Sequence, residues 1–330
     1  MKSWVNKTET NDRDCPLKGS IRRYALGWTK MRASIRKVFT RETIVNLLFV
    51  LPSLVLVGYF VYVLIGWNVV VSLSDWRPSS LTPSYNFAGF GQYAKLFQDP
   101  VFLTSLTNNI ILILLFVPTS LALGLFLAIL LDSKVRSEGV FRSIYLLPFS
   151  LSFVITATLW AWMYNPDIGV INTLLRAIGL GFLKSGWVGD PNIALVCVVL
   201  AIVWQFSGYT MLLFSAGIKS IPDSQIMAAE VDGAKGFNLY RRVVIPQLKT
   251  PALSAFVVLM IFALKVFDFI YVLTGGGPGY STYVLPLMMF RETFSSTNFA
   301  YGAAIATLLF LLALVIVLPY LYLSSRREKD

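Results

Sequence analysis

The chain has 330 residues, of which 56% are hydrophobic and 14% charged, with a net charge of +11 at neutral pH. Its mean hydropathy is +0.68. These values exclude a soluble globular domain and indicate a protein that crosses a membrane several times. Nucleic acid is not an expected partner, because no folded basic face with interleaved aromatic residues is present.

Six apolar runs are long enough to cross a bilayer, which takes roughly 20 helical residues. They span residues 44–71, 102–131, 144–164, 193–218, 253–274 and 303–323. Backbone groups in lipid must be satisfied within the segment, and the sequence lacks the ten-residue alternation of a barrel. We therefore predict an all-α integral membrane protein with six transmembrane helices.

Basic residues indicate the orientation of these helices. Of the 28 lysines and arginines, 22 lie in residues 1–42, 132–143, 219–250 and the tail after 323. The three opposite connections hold 5. Positively charged connections stay in the cytoplasm, so both termini and the loop 219–250 are predicted to be cytoplasmic.

The same pattern divides the chain into three parts. Residues 1–42 form a basic cytoplasmic tail, in which residues 24–39 are expected to make a short amphipathic helix at the bilayer surface. Residues 43–323 form the six-helix transmembrane domain, and 324–330 form a second cytoplasmic tail.

One polar stretch, residues 221–251, stands between the fourth and fifth apolar runs. Pro222 and Asp223 suit the start of a helix, and Gly233 suits a left-handed turn after it. A second short helix carries Arg241 and is predicted to end at Pro246. The stretch therefore predicts a cytoplasmic helix-turn-helix that docks on a partner.

The chain carries few groups for chemistry of its own. It has no histidine and no G-x-x-x-x-G-K-[ST] loop for a nucleotide. Residues 275–277 are three glycines, which we interpret as a flexible turn rather than a phosphate loop. We expect a non-enzymatic protein with no catalytic residues, no metal site and no bound cofactor.

The polar stretch resembles the EAA loop of ABC importer permeases. The family pattern is roughly E-A-A-x-x-D-G-A followed by I-x-L-P, and residues 227–234 read MAAEVDGA while residues 243–246 read VVIP. Met227 stands where the family has its first glutamate. Residues 87–100, 204–222 and 265–279 resemble carbohydrate-type permeases, including the larger partner of maltose-type transporters.

The resemblance implies a set of partners. A permease of this family pairs with a second, related permease in the bacterial or archaeal inner membrane, and two ATPase subunits bind ATP and Mg below it. An extracytoplasmic solute-binding protein delivers the carbohydrate. The EAA loop seats in an ATPase groove, which implies these coupling residues: Met227, Ala228, Ala229, Glu230, Asp232, Gly233, Ala234, Arg241 and Pro246.

Two coupling residues have alternative roles. Asp232 either caps the second helix or pairs with a cation of the partner. Arg241 either docks on the ATPase or binds anionic lipid headgroups, as basic residues beside a membrane commonly do.

Five residues are candidates for the substrate path. Lys265 and Asp268 are the clear intramembrane charges; three residues apart, they are expected on one helix face, either on the path or as a structural ion pair. Gln205 and Tyr209 belong to a polar break in the fourth run, which either contacts sugar or makes hydrogen bonds between helices. In the first case the rings of Phe206 and Tyr209 are expected to stack on the sugar.

The leading hypothesis is one half of the transmembrane pathway of an ATP-driven carbohydrate importer. The first alternative is a permease of the same family for a glycerol phosphate or a polyol. An alternative from a different functional class is a self-contained, ion-coupled secondary transporter. Transporters of that class are commonly built from internal repeats, and the sequence shows no such repeat.

Overall fold

The computed structural model describes residues 41–76, 82–132 and 138–327, so the predicted tail 1–42 lies almost wholly outside the described residues. The chain divides into two compact units, Met1–Gly66 and Trp67–Asp330. The described part of the first unit is α1, Arg41–Val57, followed by the π-helical turn Gly58–Val63 and the start of α2, Leu64–Ser72.

The second unit is helical almost throughout its described part. Its elements are α3 Gly91–Gln98, α4 Pro100–Asp132, α5 Glu138–Ser150, α6 Phe153–Met163, α7 Val170–Ala177, α8 Ala194–Lys219, α9 Asp223–Val231, α10 Phe237–Gln247, α11 Lys249–Lys265, α12 Asp268–Leu273, α13 Leu285–Phe290 and α14 Phe299–Arg327. Short 3₁₀ and π turns interrupt or join them. The β pairing found within the described residues is a single antiparallel bridge between Ser74 and Phe87.

Four helical stretches in the described chain are long and apolar enough to cross a membrane: Val45–Ser72, Pro100–Asp132, Ala194–Lys219 and Phe299–Tyr320. Two pairs of consecutive helices, α5 with α6 and α10 with α11, are long and apolar enough only when the two helices of a pair are taken together, and each pair is bent at its junction. The number of spans is six if each bent pair is one crossing. The predicted all-α membrane class is confirmed.

The third predicted span, 144–164, is not one continuous helix. The chain bends by 97° between α5 and α6. Ser152 begins the second half, since its Oγ accepts a hydrogen bond from the Ile155 backbone N–H at 3.3 Å. The side-chain amide of Gln205 donates to the Leu151 carbonyl at 3.0 Å. Polar side chains thus satisfy backbone groups that the break removes from the helical ladder.

The fifth predicted span, 253–274, is also broken. Helix α11 ends at Lys265, Val266 has an extended backbone, and α12 starts at Asp268. The prediction that Lys265 and Asp268 share one helix face is therefore wrong. The Asn109 amide donates to the Ala263 carbonyl at 3.3 Å, which replaces a donor lost at the break.

Helix α8 is the centre of the bundle and is buried along most of its length. Two glycines permit its close approach to neighbouring helices. A β-carbon at Gly124 of α4 would overlap Thr210 of α8, and one at Gly208 would overlap the backbone of Tyr145 in α5. Small residues at such crossings bring helix backbones together within a membrane.

The segment after α12 is packed rather than loose. The backbone of its glycines is held by neighbours, with Arg291 donating to the Gly275 carbonyl at 2.6 Å. Asn108 donates to the carbonyls of Tyr280 and Tyr283 at 2.8 and 2.9 Å. The Leu285 N–H donates to Asn109 Oδ1 at 2.8 Å. Residues 275–277 form the predicted turn, with φ +61° at Gly275 and +92° at Gly276, and α4 anchors the chain that follows it.

Replacing Asn109 with leucine is expected to lower the stability of the transmembrane domain by about 1–3 kcal/mol, because the Ala263 carbonyl and the Leu285 N–H both lose buried partners. Thermal unfolding of the detergent-solubilised protein measures the loss. Thr107→Val in the same helix is the control, since the exposed Thr107 hydroxyl bonds only the Leu103 carbonyl one turn earlier. Equal melting temperatures for the two variants would contradict the anchoring role.

Candidate functional site

A cavity of about 430 Å³ opens at the break between α11 and α12. The break between α5 and α6 lies beside it, so two interrupted helices and α8 form its walls. The lining side chains are Phe149, Phe153, Phe206, Val258, Ile261, Phe262, Lys265, Val266, Phe267, Asp268 and Phe269. Interrupted helices that line a cavity are a common way to build a binding site at membrane depth.

Aromatic rings dominate the walls of this cavity. The Phe206 and Phe262 ring centroids are 4.3 Å apart, and Phe153 lies 4.8 Å from Phe262. Phe149 contacts Phe206 edge-on at 5.6 Å. These rings pack against one another and present flat apolar surfaces to a ligand.

Lys265 and Asp268 are the charged groups of the cavity, and both are exposed in this chain. No ion pair joins them, although both lie within the described residues; the break at Val266 separates them. Both charges are therefore free to bond a ligand. The geometry therefore does not support the alternative of a structural ion pair between Lys265 and Asp268.

The other predicted path residues differ in position. Phe206 lines the cavity. Gln205 is completely buried, does not line the cavity, and bonds the Leu151 carbonyl. Tyr209 stacks on Phe149 at 5.1 Å behind the cavity wall. For Gln205 the geometry favours the alternative role of hydrogen bonding between helices.

The predicted helix-turn-helix is present as α9 and α10. The chain turns between them at Gly233, which has φ +89°, and again at Gly236, which has φ +52°. Both values lie in the left-handed region that favours glycine. The predicted turn at Gly233 is confirmed, whereas the second glycine turn was missed although its residue type is the same signal.

Several details of this loop differ from the sequence prediction. Asp232 ends α9, where its N–H bonds the Ala228 and Glu230 carbonyls, and α10 begins after Gly236. Asp232 therefore does not cap the second helix. Pro246 lies inside the last turn of α10 rather than ending it, and a 67° bend before Lys249 separates α10 from α11.

The surface of the loop is more apolar than its overall polarity indicates. Met227, Val231 and Phe237 are all exposed, Val231 by 88%. Met227 and Val231 are four residues apart and share one face of α9. Ala228, Glu230 and Arg241 are exposed as well, while Ala229 and Ala234 are half-buried. Exposed apolar side chains in a charged loop are typical of a contact surface, so Val231 and Phe237, which sequence reasoning missed, are further candidates for one.

The inner side of the loop is fixed to the membrane helices. Val244 and Leu248 are buried in one cluster with Leu131 of α4 and Ile218 of α8. The Tyr240 hydroxyl bonds Asp132 Oδ2 at 2.7 Å, at the end of α4. The loop therefore packs directly against α4 and α8.

A second, polar cavity of about 350 Å³ lies at the opposite ends of the helices, lined by Gln92, Lys95, Asp99, Glu292, Asn298 and Tyr301. The Tyr301 hydroxyl bonds Asp99 Oδ2 at 2.7 Å. Burial raises the pKa of the Glu292 carboxyl above its usual value. Among the described residues, no group of three or more acidic, cysteine or histidine side chains is placed to hold a metal ion.

A helical bundle with a cavity at two interrupted spans, and with a surface loop packed onto α4 and α8, is typical of a membrane transport protein. Residues 26–329 match the model of a family described as the inner membrane component of binding-protein-dependent transport systems. The chain belongs to this family, the permease subunits of ABC importers, and is thus a multi-pass protein of the inner membrane.

Relatives agree with this assignment, and a solved structure shares the fold. A probable ABC transporter permease protein of Pyrococcus horikoshii is 62% identical over 283 residues, which cover 86% of this chain and 96% of that protein. A xylose/arabinose import permease protein of Haloferax volcanii is 44% identical, over 92% and 94% of the two chains. A chain in the crystal structure of a bacterial alginate ABC transporter with its pentasaccharide-bound periplasmic protein matches with a TM-score of 0.77 at 21% identity, over 89% and 98%.

Proposed function

We propose that this chain forms half of the translocation pathway of an ATP-driven carbohydrate importer. The observation that carries the proposal is the cavity at the two helix breaks, where phenylalanine rings surround Lys265 and Asp268. Ring faces suit the C–H faces of a sugar, and an unpaired ammonium and carboxylate suit its hydroxyl groups. The import of xylose and arabinose by a 44% identical relative supports the same class of cargo.

The remaining parts of the importer follow from what this chain lacks. The sequence has no nucleotide-binding loop, so ATP and Mg belong to two partner ATPase subunits. The exposed face of α9 and the start of α10 dock on one of them, with Met227 in place of the usual glutamate. The second half of the pathway is a related permease, and a solute-binding protein supplies the sugar on the side opposite α9. In this arrangement both termini are cytoplasmic.

Glycerol phosphates and polyols are the alternative cargoes. Lys265 favours an anion, and Asp268 in the same cavity disfavours one. A neutral sugar that bonds both groups is the better fit to this pair of charges.

Reconstitution of the assembled importer tests the proposal. This chain is purified from its host with its co-purifying subunits, inserted into proteoliposomes with the binding protein, and supplied with labelled xylose, arabinose, maltose, glycerol 3-phosphate or sorbitol. We expect uptake of a sugar that requires internal ATP and the binding protein. Uptake by this chain alone under an ion gradient would identify a secondary transporter. Uptake confined to glycerol 3-phosphate or sorbitol would show that the cargo is a glycerol phosphate or a polyol and not a sugar.

A further inference from the structure

Four aromatic rings continue from the cavity toward the second, polar cavity. Phe267 lines the first cavity and stacks on Tyr271 with centroids 5.3 Å apart. Phe290 lies 4.8 Å from Phe267 and 5.7 Å from Tyr271. Phe294 follows at 5.3 Å from Phe290. Each ring contacts the next, so the aromatic surface is continuous from the cavity to Phe294.

The direction of this series follows from a hydrogen bond to α4 and from the residues that line the polar cavity. Leu285, at the start of α13, bonds Asn109, which lies nine residues into α4. Glu292 and Asn298, seven and thirteen residues later, line the polar cavity with Asp99, which immediately precedes α4. The helix that carries Phe290 and Phe294 therefore rises from membrane depth to the end of α4 that the distribution of basic residues assigns to the outside.

The rings are not sealed in a core. Phe294 is 67% exposed and Tyr271 is exposed as well, while Phe267 and Phe290 are half-buried. Each of the four thus has ring surface that this chain does not cover. Phe267 also packs against the buried cluster that contains Phe269, whereas Tyr271, Phe290 and Phe294 lie outside that cluster.

We propose that Phe267, Tyr271, Phe290 and Phe294 form an aromatic track along which a sugar ring moves from the outer surface to the cavity. The inference rests on the proposed function. Adjacent rings offer similar stacking surfaces, so a sugar exchanges one contact for the next without a deep minimum on its way. Phe267 belongs both to the cavity lining and to the track, so the track is continuous with the cavity. This continuity favours the sugar, and not the second permease, as the molecule that contacts the exposed ring surfaces.

Uptake by the complete reconstituted importer tests the track. Phe294→Ala and Phe294→Leu are expected to lower the uptake of the sugar that the wild-type complex transports by about two- to tenfold, because stacking on one ring is lost. Phe294→Trp keeps a ring and is expected to retain uptake. ATP hydrolysis stimulated by the loaded binding protein and the co-purification of subunits stay unchanged. Phe182→Ala is the control, since Phe182 is 79% exposed on another connection of the same predicted side.

A labelling experiment separates cargo from partner. In the assembled importer, Phe294→Cys is expected to react with a membrane-impermeant maleimide, and the reaction slows during turnover with the transported sugar. The parent chain is labelled in parallel to set the background from its two cysteines, of which Cys197 is buried and Cys15 lies in the tail predicted to be cytoplasmic. A cysteine that the second permease covers would not react under either condition, and that result would overturn the track.

Full uptake by Phe294→Leu would also overturn it, since an apolar volume would then suffice. If the wild-type complex transports no sugar at all, the proposed function fails first and the track fails with it. Because transport by the wild-type complex is measured before any variant is made, failure of the proposed function is distinguishable from failure of the track alone.

Discussion

Gly233→Asp is expected to abolish ATP-driven uptake while the chain remains in the membrane with its partner permease. Gly233 has φ +89°, and a β-carbon there would meet no atom within 4 Å. The substitution therefore acts through the backbone, where a left-handed conformation without glycine costs about 1–3 kcal/mol. Relief of that strain moves α9 relative to α10 and separates the exposed apolar face of α9 from the buried anchor at Val244.

Three measurements check this expectation: sugar uptake in proteoliposomes, ATP hydrolysis by the complex, and the amount of ATPase that co-purifies. Uptake falls to background, hydrolysis no longer responds to the binding protein, and less ATPase is retained. Gly179→Asp is a matched control, because Gly179 has φ +81° and equally open surroundings but precedes α8, in a connection predicted to lie on the other side of the membrane. Equal loss in both variants would indicate general misfolding, and normal uptake by Gly233→Asp would contradict the coupling role.

The turn at Gly233 could be predicted because its cause is local. Few residue types adopt a positive φ, so a glycine between two helical patterns indicates the turn directly. Hydropathy likewise located the apolar helices, since lipid imposes the same requirement along a whole segment. Both signals are contained in the residues concerned and need no knowledge of their neighbours.

The break between α11 and α12 could not be predicted in this way. Residues 265–268 read Lys-Val-Phe-Asp and contain neither proline nor glycine, so local propensity favours a continuous helix. The break is stabilised by Asn109, more than 150 residues away in sequence, which bonds the Ala263 carbonyl. The sequence showed Asn108 and Asn109 inside an apolar run, but not which carbonyls they contact.

The same limit applies to the candidate site. Phe206, Lys265 and Asp268 were found because aromatic and charged residues are conspicuous in an apolar context. Gln205 was equally conspicuous, yet its amide serves the broken α5–α6 pair. A polar side chain in a membrane helix needs a partner, and its sequence does not tell whether that partner is the cargo or the backbone.

Asp268→Ala is expected to lower kcat/KM for sugar uptake by about 10- to 100-fold, because a hydrogen bond to a charged group contributes about 1.5–3 kcal/mol. Asp268→Asn keeps an acceptor and is expected to lose less. Uptake is measured over a range of concentrations of the loaded binding protein, with ATP hydrolysis recorded in parallel. Asp167→Ala removes an exposed carboxylate from a connection predicted to be on the outside and serves as the control for net charge.

The double variant Lys265→Met/Asp268→Ala decides how the two charges act. As separate groups that both bond the sugar, they give a double variant with lower uptake than either single variant. As an ion pair that holds the helix break, they would leave one uncompensated charge in each single variant, and the double variant would recover. Because the extended residue Val266 keeps the two side chains from pairing, we expect the first result. Recovery of uptake in the double variant would mean that Lys265 and Asp268 pair during transport, and the cavity would then bind sugar through its rings alone.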